Sequence, residues 1–428
     1  MGDGDNLILA MTVWLIFIPL VIVSFGHSDY HHEQARRRLG TDIPDSISID
    51  CGATGNYQDG DTGIFYKSDE YFIDTGINKQ ISPGLNPKKQ QKDLRSFPNG
   101  PRNCYTLKPE QGKNQNYMIK AYFMYGNYDG KNQAPVFDLY LGVNKWEKVD
   151  SYLFFEIMHF PLRRNIDVCL VNTGFGTPFI SALELRRLDS SIYKVRSGAL
   201  QLMWRYNLNG GQDIIRYPND IYDRIWIPLK LPDPNWDLWS PISTESTIEI
   251  QSSNGSYYPP EQVLRTAAYP KNSSSPLSYC WRRPFNATFE YYICFHFAHI
   301  FDLWDDKLGE FNISLNGHYP LTEPIKLAYL KPLTIGPLNV PLKDGAISFD
   351  IYATEDSNLP PILNAFEIFD LNMLPDAPTD QQDVDAIMNI KRAYQMTRNW
   401  QGDPCVPCYY LWDGLNCNYN NSPRIISL

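Results

Sequence analysis

The chain contains one pattern of sequence twice, and this duplication constrains the fold more than any other feature. A block beginning at Tyr117, followed by Phe137-Asp-Leu-Tyr-Leu-Gly, aligns without a gap on a block beginning at Tyr291, followed by Phe311-Asn-Ile-Ser-Leu-Asn. Self-similarity at a fixed spacing is the signature of a duplicated architecture. The sequence therefore predicts two similar lobes rather than one undivided domain.

The repeated blocks alternate apolar and polar residues with a period of two. Phe137, Leu139 and Leu141 fall on one side of such a pattern, which is typical of half-buried β-strands. Turns rich in glycine, proline and asparagine separate these short segments, and neither block contains a long amphipathic helix. We predict an all-β fold in which two tandem β-sandwich lobes occupy 47–190 and 200–372.

The sequence changes character at 373–428. A linker precedes a helical pattern that Thr379 or Asp380 can cap, and a cysteine-bearing segment containing Trp412 follows it. The last residues begin an apolar strand. We expect a linker and then a short helical cap of the kind that covers the end of a repeat array.

The N-terminal segment and the cysteine content predict export. Residues 7–25 are almost continuously apolar, although acidic residues stand where signal peptides carry positive charge. The segment 1–27 is therefore either a cleaved signal peptide or an uncleaved membrane anchor. Eight cysteines suit an oxidising lumen, as do five glycosylation sequons, at Asn254, Asn272, Asn286, Asn312 and Asn420. We expect an extracellular location or the outer face of the plasma membrane.

Charge and motifs argue against several functions. The formal net charge of −10 disfavours nucleic acid as a partner. The sequence has no Gly-x-Ser-x-Gly, His-Glu-x-x-His or phosphate-loop motif. His296 and His299 lie three residues apart in a predicted strand, where they face opposite sides and cannot share a metal ion. We therefore predict a protein with no catalytic residues, no metal and no cofactor.

Several separate motifs resemble a single family. In chain order they are Ile49-Asp-Cys-Gly, Arg95-Ser-Phe-Pro-x-Gly-x-Arg-Asn-Cys-Tyr, Tyr217-Pro-Asn-Asp-x-x-Asp-Arg-x-Trp226, Leu359-Pro-Pro-Ile-Leu-Asn-Ala-Phe-Glu and Gly402-Asp-Pro-Cys. With these motifs the chain resembles the ectodomain of plant malectin-like, leucine-rich-repeat receptor kinases. The resemblance implies a tandem malectin-like module outside the cell, followed by a cap, leucine-rich repeats, a membrane span and a kinase. The sequence stops at the first repeat and contains no kinase motif, so kinase activity is not expected of these residues.

The cysteines allow partial pairing predictions. The family resemblance implies a disulfide between Cys405 and Cys417, which closes the cap loop. Cys51 and Cys104 both lie near the start of the first lobe, and we predict a second disulfide between them. Two further cysteines fall in predicted strands and have the character of buried thiols, Cys169 and Cys294. The pairing of the remaining two stays open.

Aromatic residues in loops point to ligand binding. Sugars present C–H faces and hydroxyl groups, so a sugar site needs rings beside short polar side chains. The stretch 63–69 resembles part of the lectin malectin, and the resemblance places Tyr66 at a glucose-contacting tyrosine and Asn127 and Tyr128 at an aromatic contact pair. The carbohydrate-binding residues predicted in this way are Tyr66, Asn127, Tyr128, Asp129, Phe301 and Trp304. We accordingly predict a receptor-like recognition module that binds cell-wall carbohydrate.

The alternative prediction is a peptide- or co-receptor-binding ectodomain with no sugar affinity. The family resemblance allows it, since many malectin-like receptors look specialised for secreted peptides or co-receptors. A cleft between two lobes suits a peptide, and exposed rings would serve as anchors. A basic loop is either a contact for an acidic pectin or peptide or a solvated surface, and it contains Lys88, Lys89, Lys92 and Arg95. Membrane contact is expected only through the N-terminal segment or a span beyond this sequence.

Overall fold

A computed structural model describes residues 45–428 with short internal gaps. The gaps are 151–152, 195–197, 209–210, 212, 230–237, 251–256, 283–289, 302–308, 319–322, 341–345, 397, 399 and 421. Four sequence predictions lie outside the described residues, namely the leader at 1–27, the sequons at Asn254 and Asn286, and the ring of Trp304.

Strands dominate the described chain. The strands up to residue 207 are β1 Ile47–Asp50, β2 Tyr57–Gln58, β3 Phe65–Ser68, β4 Ile77–Gln80, β5 Asp93–Ser96, β6 Arg102–Leu107, β7 Asn116–Tyr122, β8 Val136–Leu141, β9 Asn144–Val149, β10 Phe154–His159, β11 Ile166–Phe175, β12 Phe179–Ile180, β13 Ala182–Leu188 and β14 Ala199–Asn207. The later strands are β15 Ile227–Pro228, β16 Trp239–Ser243, β17 Thr266–Pro270, β18 Leu277–Arg282, β19 Tyr291–Ala298, β20 Glu310–Leu315, β21 Ile325–Lys326, β22 Pro332–Val340, β23 Ala346–Ala353, β24 Ala365–Asn372, β25 Asn416–Asn418 and β26 Arg424–Ser427. The α-helices of the described residues are α1 Glu261–Leu264 and α2 Gln381–Ala393, and single 3₁₀ turns cover Lys89–Gln91 and Cys408–Tyr410.

One large sheet runs through both sequence blocks. Its order is β2-β3-β1-β13-β7-β10-β14-β24-β19-β22, with β15 added beside β14. The antiparallel pairing of β10 with β14 joins the strands of the first block to those of the second. Two separate four-stranded sheets accompany the large sheet, in the orders β6-β11-β8-β9 and β18-β23-β20-β21.

Two hydrophobic cores follow from this arrangement. The first core packs Tyr117 and Ile119 of β7 against inward residues of β8 such as Phe137 and Leu139. The second core packs equivalent positions of the second block, including Ile293, Phe295, Phe311 and Ile313. In β8 alternate residues are buried, as period-two strands require. The all-β prediction is confirmed, whereas the lobe boundaries at 47–190 and 200–372 stay a prediction.

The C-terminal segment forms a small cluster of its own. Asp380 caps α2 by accepting a hydrogen bond from the backbone N–H of Gln382, which is the function of an N-cap carboxylate. The helix buries Ile387 against the stacked rings of Trp400 and Trp412. The helix predicted after Thr379 or Asp380 is therefore present.

The disulfides agree with the sequence predictions in one case and disagree in the other. The structure joins Cys405 to Cys417, as the resemblance implies. The predicted pair of Cys51 with Cys104 is wrong, because Cys104 bonds to Cys169, which lies directly opposite it in the pairing of β6 with β11. Cys169 is thus not a thiol, and Cys51 is a buried free cysteine. The other free cysteines are the buried Cys294 and the exposed Cys280 and Cys408.

Candidate functional site

Tyr66, the first predicted sugar contact, is completely buried. Its ring stacks on Tyr57 with centroids 5.6 Å apart, and its hydroxyl donates to the carboxylate of Glu184. Burial, together with the neighbouring carboxylate, raises the pKa of Tyr66 well above its ordinary value. The prediction that Tyr66 contacts a ligand is corrected: its ring is 0% exposed and belongs to an internal hydrogen-bonded cluster.

Asn127, Tyr128 and Asp129 do lie together, in a turn after β7. The hydroxyl of Tyr125 donates to Asp129 Oδ1 at 2.5 Å and to Asn127 Oδ1 at 3.2 Å. The half-buried ring of Tyr128 lies 5.3 Å from the ring of Phe179. The polar atoms of this turn are therefore largely engaged by the turn itself.

The structure separates Phe301 from this turn. Phe301 is half-buried and contacts the rings of Tyr269 and His299, at centroid distances of 5.4 and 5.7 Å. It packs on a cluster formed by the second sequence block, whereas Tyr128 packs on the first core. The predicted sugar contacts are thus divided among separate places in the fold.

Part of the predicted basic loop is also engaged internally. The guanidinium of Arg95 forms a bidentate pair with Asp69, with both bonds at 2.5 Å. The ammonium of Lys89 lies 3.7 Å from the centroid of the Tyr57 ring, as in a cation–π contact. Both contacts hold the loop against its own lobe.

Two of the described sequons are accessible and one is not. Asn272 and Asn420 are exposed. Asn312 lies in β20 and is only 8% exposed. Glycosylation at Asn312 stays a prediction, at a position that the sheet largely covers.

The large sheet carries a buried ionic cluster on the face opposite the cores. Lys120 points away from the first core because its neighbours in β7 point into that core. Its ammonium lies 2.9 Å from Glu184 and 2.8 Å from Asp223. Two guanidiniums complete the cluster, since Arg186 and Arg216 lie 2.9 and 2.7 Å from the same Asp223 carboxylate. The three cations and two carboxylates are all buried, and each carboxylate is paired with more than one cation.

A second part of this network crosses from the first sequence block to the second. Arg205 in β14 lies 2.8 Å from Glu156 in β10 and 2.6 Å from Glu367 in β24. His296 in β19 lies 3.0 Å from the same Glu367. Burial by itself would raise the pKa of Glu367, but Arg205 and the hydrogen bond from His296 outweigh it and lower this pKa to about 2. These contacts thus link four neighbouring strands, β10, β14, β24 and β19, across the junction of the blocks.

One short motif supplies much of this network. In the motif Tyr217-Pro-Asn-Asp-x-x-Asp-Arg-x-Trp, Asp220 accepts hydrogen bonds from Arg224 at 2.8 Å and from the indole of Trp226 at 2.8 Å. Asp223, which holds Lys120, comes from the same segment. In the sequence this motif stands out only through its family resemblance. The signal in its sequence is two aspartates and an arginine within a few residues of a tryptophan, because charged side chains near buried apolar ones have to be paired.

The network is unsuited to chemistry on a ligand. The pair of His296 and Glu367 has the composition of an acid–base site, but both side chains are 0% exposed. A catalytic group has to reach its substrate. Among the described residues, no three His, Cys, Asp or Glu side chains form a group that could hold a metal ion. The arrangement therefore acts as a structural junction.

An open cavity lies elsewhere, between the first core and the C-terminal segment. Its volume is about 80 Å³, which is room for several water molecules or one aliphatic side chain. Its walls come from the β8–β9 turn, the segment 159–167 and the linker, and its apolar lining includes Leu141, Val143, Pro161, Leu162 and Leu374. Its charged lining residues are Arg163, Asp167, Asp376 and Asp403. We refer to these walls as the C-terminal groove.

The fold and these sites together define the class of the protein. It is an all-β, disulfide-bonded module with two cores along a continuous sheet, and the ionisable clusters described above are sealed rather than open. The chain belongs to the malectin-like domain family, whose sequence model matches residues 49–371. The resemblance drawn from the motifs is confirmed.

Named relatives agree with this assignment. Over 397 residues the chain is 41% identical to the probable LRR receptor-like serine/threonine-protein kinase MEE39 of Arabidopsis thaliana, covering 89% of this chain and 44% of that protein. It is similarly 41% identical over 404 residues to the probable LRR receptor-like serine/threonine-protein kinase At1g05700 of the same plant, covering 91% of this chain and 46% of that protein. The chain thus spans less than half the length of these relatives.

Solved structures share the fold. The ANX2 ectodomain from Arabidopsis thaliana matches with a TM-score of 0.63 at 19% identity, over 77% of this chain and 97% of that chain. A structure of the plant peptide RALF23 in complex with FER and LLG2 matches with a TM-score of 0.60 at 17% identity, over 76% of this chain and 95% of that chain. At this level of identity the likeness shows the fold alone. In the described part of this chain, no helix has the length and apolar character needed to cross a membrane.

Proposed function

We propose that the chain is a non-catalytic extracellular recognition module of a receptor-like protein, and that its ligand is a secreted peptide or a co-receptor protein. The observation that carries the proposal is the contrast between two sites. The predicted sugar contact Tyr66 is enclosed, whereas the C-terminal groove is open and mainly apolar. An apolar depression with a few polar groups is the usual form of a binding site, and at about 80 Å³ this one has room for one side chain of a larger ligand.

The relatives support this choice. FER, whose ectodomain shares the fold, is named in a complex with the peptide RALF23 and with LLG2. Receptor-like kinases of the family carry a comparable segment within a longer chain. We therefore propose an extracellular or membrane-outer-face location for this segment, with kinase activity belonging to other parts of such receptors.

Cell-wall carbohydrate is the second candidate. The observation that favours it is the half-buried ring of Tyr128 beside Asn127 and Asp129. A ring with carboxylate and amide groups nearby can stack on a sugar and bind its hydroxyl groups. This site would be smaller than the one predicted from the sequence, because Tyr66 does not take part in it.

Binding of the secreted full chain to two defined panels distinguishes the candidates. One panel holds synthetic secreted-type peptides, and the other holds glucose and uronate oligosaccharides. We expect saturable binding to members of the peptide panel and none to the sugars. Saturable sugar binding that Tyr128→Ala removes would overturn the proposal in favour of carbohydrate. Tyr71→Ala is the matched control, since Tyr71 is a tyrosine of the same block with 86% of its side chain exposed.

A further inference from the structure

The C-terminal groove has walls that are held in place before any ligand arrives. Asn144 and Asp376 exchange two hydrogen bonds across it, because the Asn144 amide donates to the Asp376 carbonyl at 3.0 Å and accepts from its N–H at 2.9 Å. On another side Arg163 lies 2.9 Å from Asp403, and Asp403 also accepts the backbone N–H of Thr379 at 2.9 Å. A preformed site binds with a smaller loss of conformational freedom.

The groove presents apolar surface to solvent at its rim. Leu162 is 77% exposed and the neighbouring Phe160 is 41% exposed. Covering each Å² of such surface is worth roughly 25 cal/mol. An aliphatic side chain of leucine or valine size matches the cavity volume of about 80 Å³ and would cover the Leu162 side chain as it enters.

The charges of the groove determine which charge a ligand should carry next to that aliphatic side chain. The lining contains three carboxylates and one guanidinium, and Asp403 already neutralises the guanidinium of Arg163. Burial lowers the pKa of His159 to about 4, so this ring adds no positive charge above pH 5. Asp376 is exposed and meets a ligand first. Asp167 accepts a hydrogen bond from Thr106 at 2.7 Å, and burial raises its pKa.

We propose that the C-terminal groove takes an aliphatic side chain of a secreted peptide that carries a lysine or arginine next to it. This inference rests on the peptide-binding function proposed above and assigns that function to a site. The acidic lining would attract the cation and disfavour an acidic peptide, while the apolar walls would anchor the aliphatic side chain.

The test uses fluorescein-labelled, end-capped pentapeptides and the secreted full chain. The probes have the sequences Gly-Lys-Leu-Lys-Gly, Gly-Lys-Ser-Lys-Gly and Gly-Glu-Leu-Glu-Gly, and fluorescence polarisation gives the Kd. We expect the first probe to bind at least tenfold more tightly than the other two. Equal binding of all three, or no binding of the first, would overturn the assignment of the ligand.

Paired variants test the assignment of the site. Leu162→Lys should weaken binding of the first probe at least tenfold, and Asp376→Asn several-fold. The matched controls are Leu153→Lys and Asp356→Asn, which change exposed residues of the same types away from the groove. If the chain binds members of the peptide panel but Leu162→Lys has no effect on them, the groove is not the site. If it binds no peptide at all, the peptide-binding function on which this inference rests fails.

Discussion

Arg102 donates a hydrogen bond of 2.6 Å to the backbone carbonyl of Gln401, and this contact fastens the C-terminal segment to the first core. The same guanidinium donates to the carbonyls of Asp403, Val406 and Tyr410, at 2.8, 3.1 and 3.1 Å. Arg102 lies at the start of β6 and is only 4% exposed. One buried cation therefore satisfies four carbonyls from a segment about three hundred residues away in sequence.

Replacing Arg102 by alanine should release the C-terminal segment. The substitution leaves four carbonyls without their donor, and a hydrogen bond to a charged group contributes a net stabilisation of about 1.5–3 kcal/mol. We expect amide hydrogen exchange across 401–410 to accelerate at least tenfold, while exchange in β7 stays unchanged. Arg164→Ala, at an exposed arginine, is the control. Unchanged exchange across 401–410 would show that other contacts hold the segment.

Gly402 should tolerate no side chain, because the cap segment lies directly on a disulfide. Its φ is +64°, and an added Cβ would lie 2.7 Å from Cys104 Sγ and 3.2 Å from Cys169 Sγ. We expect Gly402→Ala to lower the free energy of unfolding by about 2–4 kcal/mol, measured by denaturant titration. Gly317→Ala shares the left-handed backbone at φ +76° but meets nothing within 4 Å. An equal loss in both variants would attribute the whole effect to backbone strain.

The sequence was sufficient to predict those structural elements that depend on a local pattern of residues. The alternation at Phe137, Leu139 and Leu141 specifies a strand with one buried side, and Asp380 caps a helix through its own neighbourhood. Each of these features depends on residues within a few positions. The fold class and the start of the C-terminal helix could therefore be predicted.

The site could not be predicted in the same way, because distant pairings determine it. Tyr66 looks like a loop tyrosine in sequence, but its hydroxyl donates to Glu184, 118 positions later. Cys104 meets Cys169 only through the register of β6 against β11. A single sequence shows neither the register of strand pairing nor burial. The prediction that Tyr66 lies at the surface and the prediction that Cys104 bonds to Cys51 were therefore both open to error.

Glu156 and Glu367 should respond differently to loss of charge. Both lie near Arg205, but burial outweighs that cation at Glu156 and raises its pKa, whereas the pKa of Glu367 falls to about 2. A drop in pKa from the ordinary glutamate value of 4.5 corresponds to roughly 3 kcal/mol of stabilisation of the charged form. At pH 7 we expect Glu367→Gln to cost about 3 kcal/mol of unfolding free energy and Glu156→Gln about 1 kcal/mol or less. Equal costs would mean that Arg205 stabilises the two carboxylates alike.

Asp50 should make the protein less stable as the pH rises from 4 to 7. It is 1% exposed, it accepts a hydrogen bond of 2.7 Å from Tyr57, and its Oδ1 has no hydrogen-bond partner. Burial raises its pKa from 3.8 to about 7. Between these values the folded state holds a proton that the unfolded state has released, so the stability that this group provides is complete below pH 4 and is lost as the pH rises towards 7.

The comparison of Asp50→Asn with the natural chain isolates this effect, because asparagine does not titrate. Relative to the variant, we expect the natural chain to lose about 2–4 kcal/mol of unfolding free energy between pH 4 and pH 7, measured by denaturant titration at each pH. The hydrogen bond from Tyr57 favours the charged form of Asp50. Tyr57→Phe keeps the carboxyl but removes this donor, so it should raise the pKa of Asp50 further and enlarge the loss of unfolding free energy. A difference between the natural chain and Asp50→Asn that stays constant from pH 4 to pH 7 would show that Asp50 titrates alike in both states.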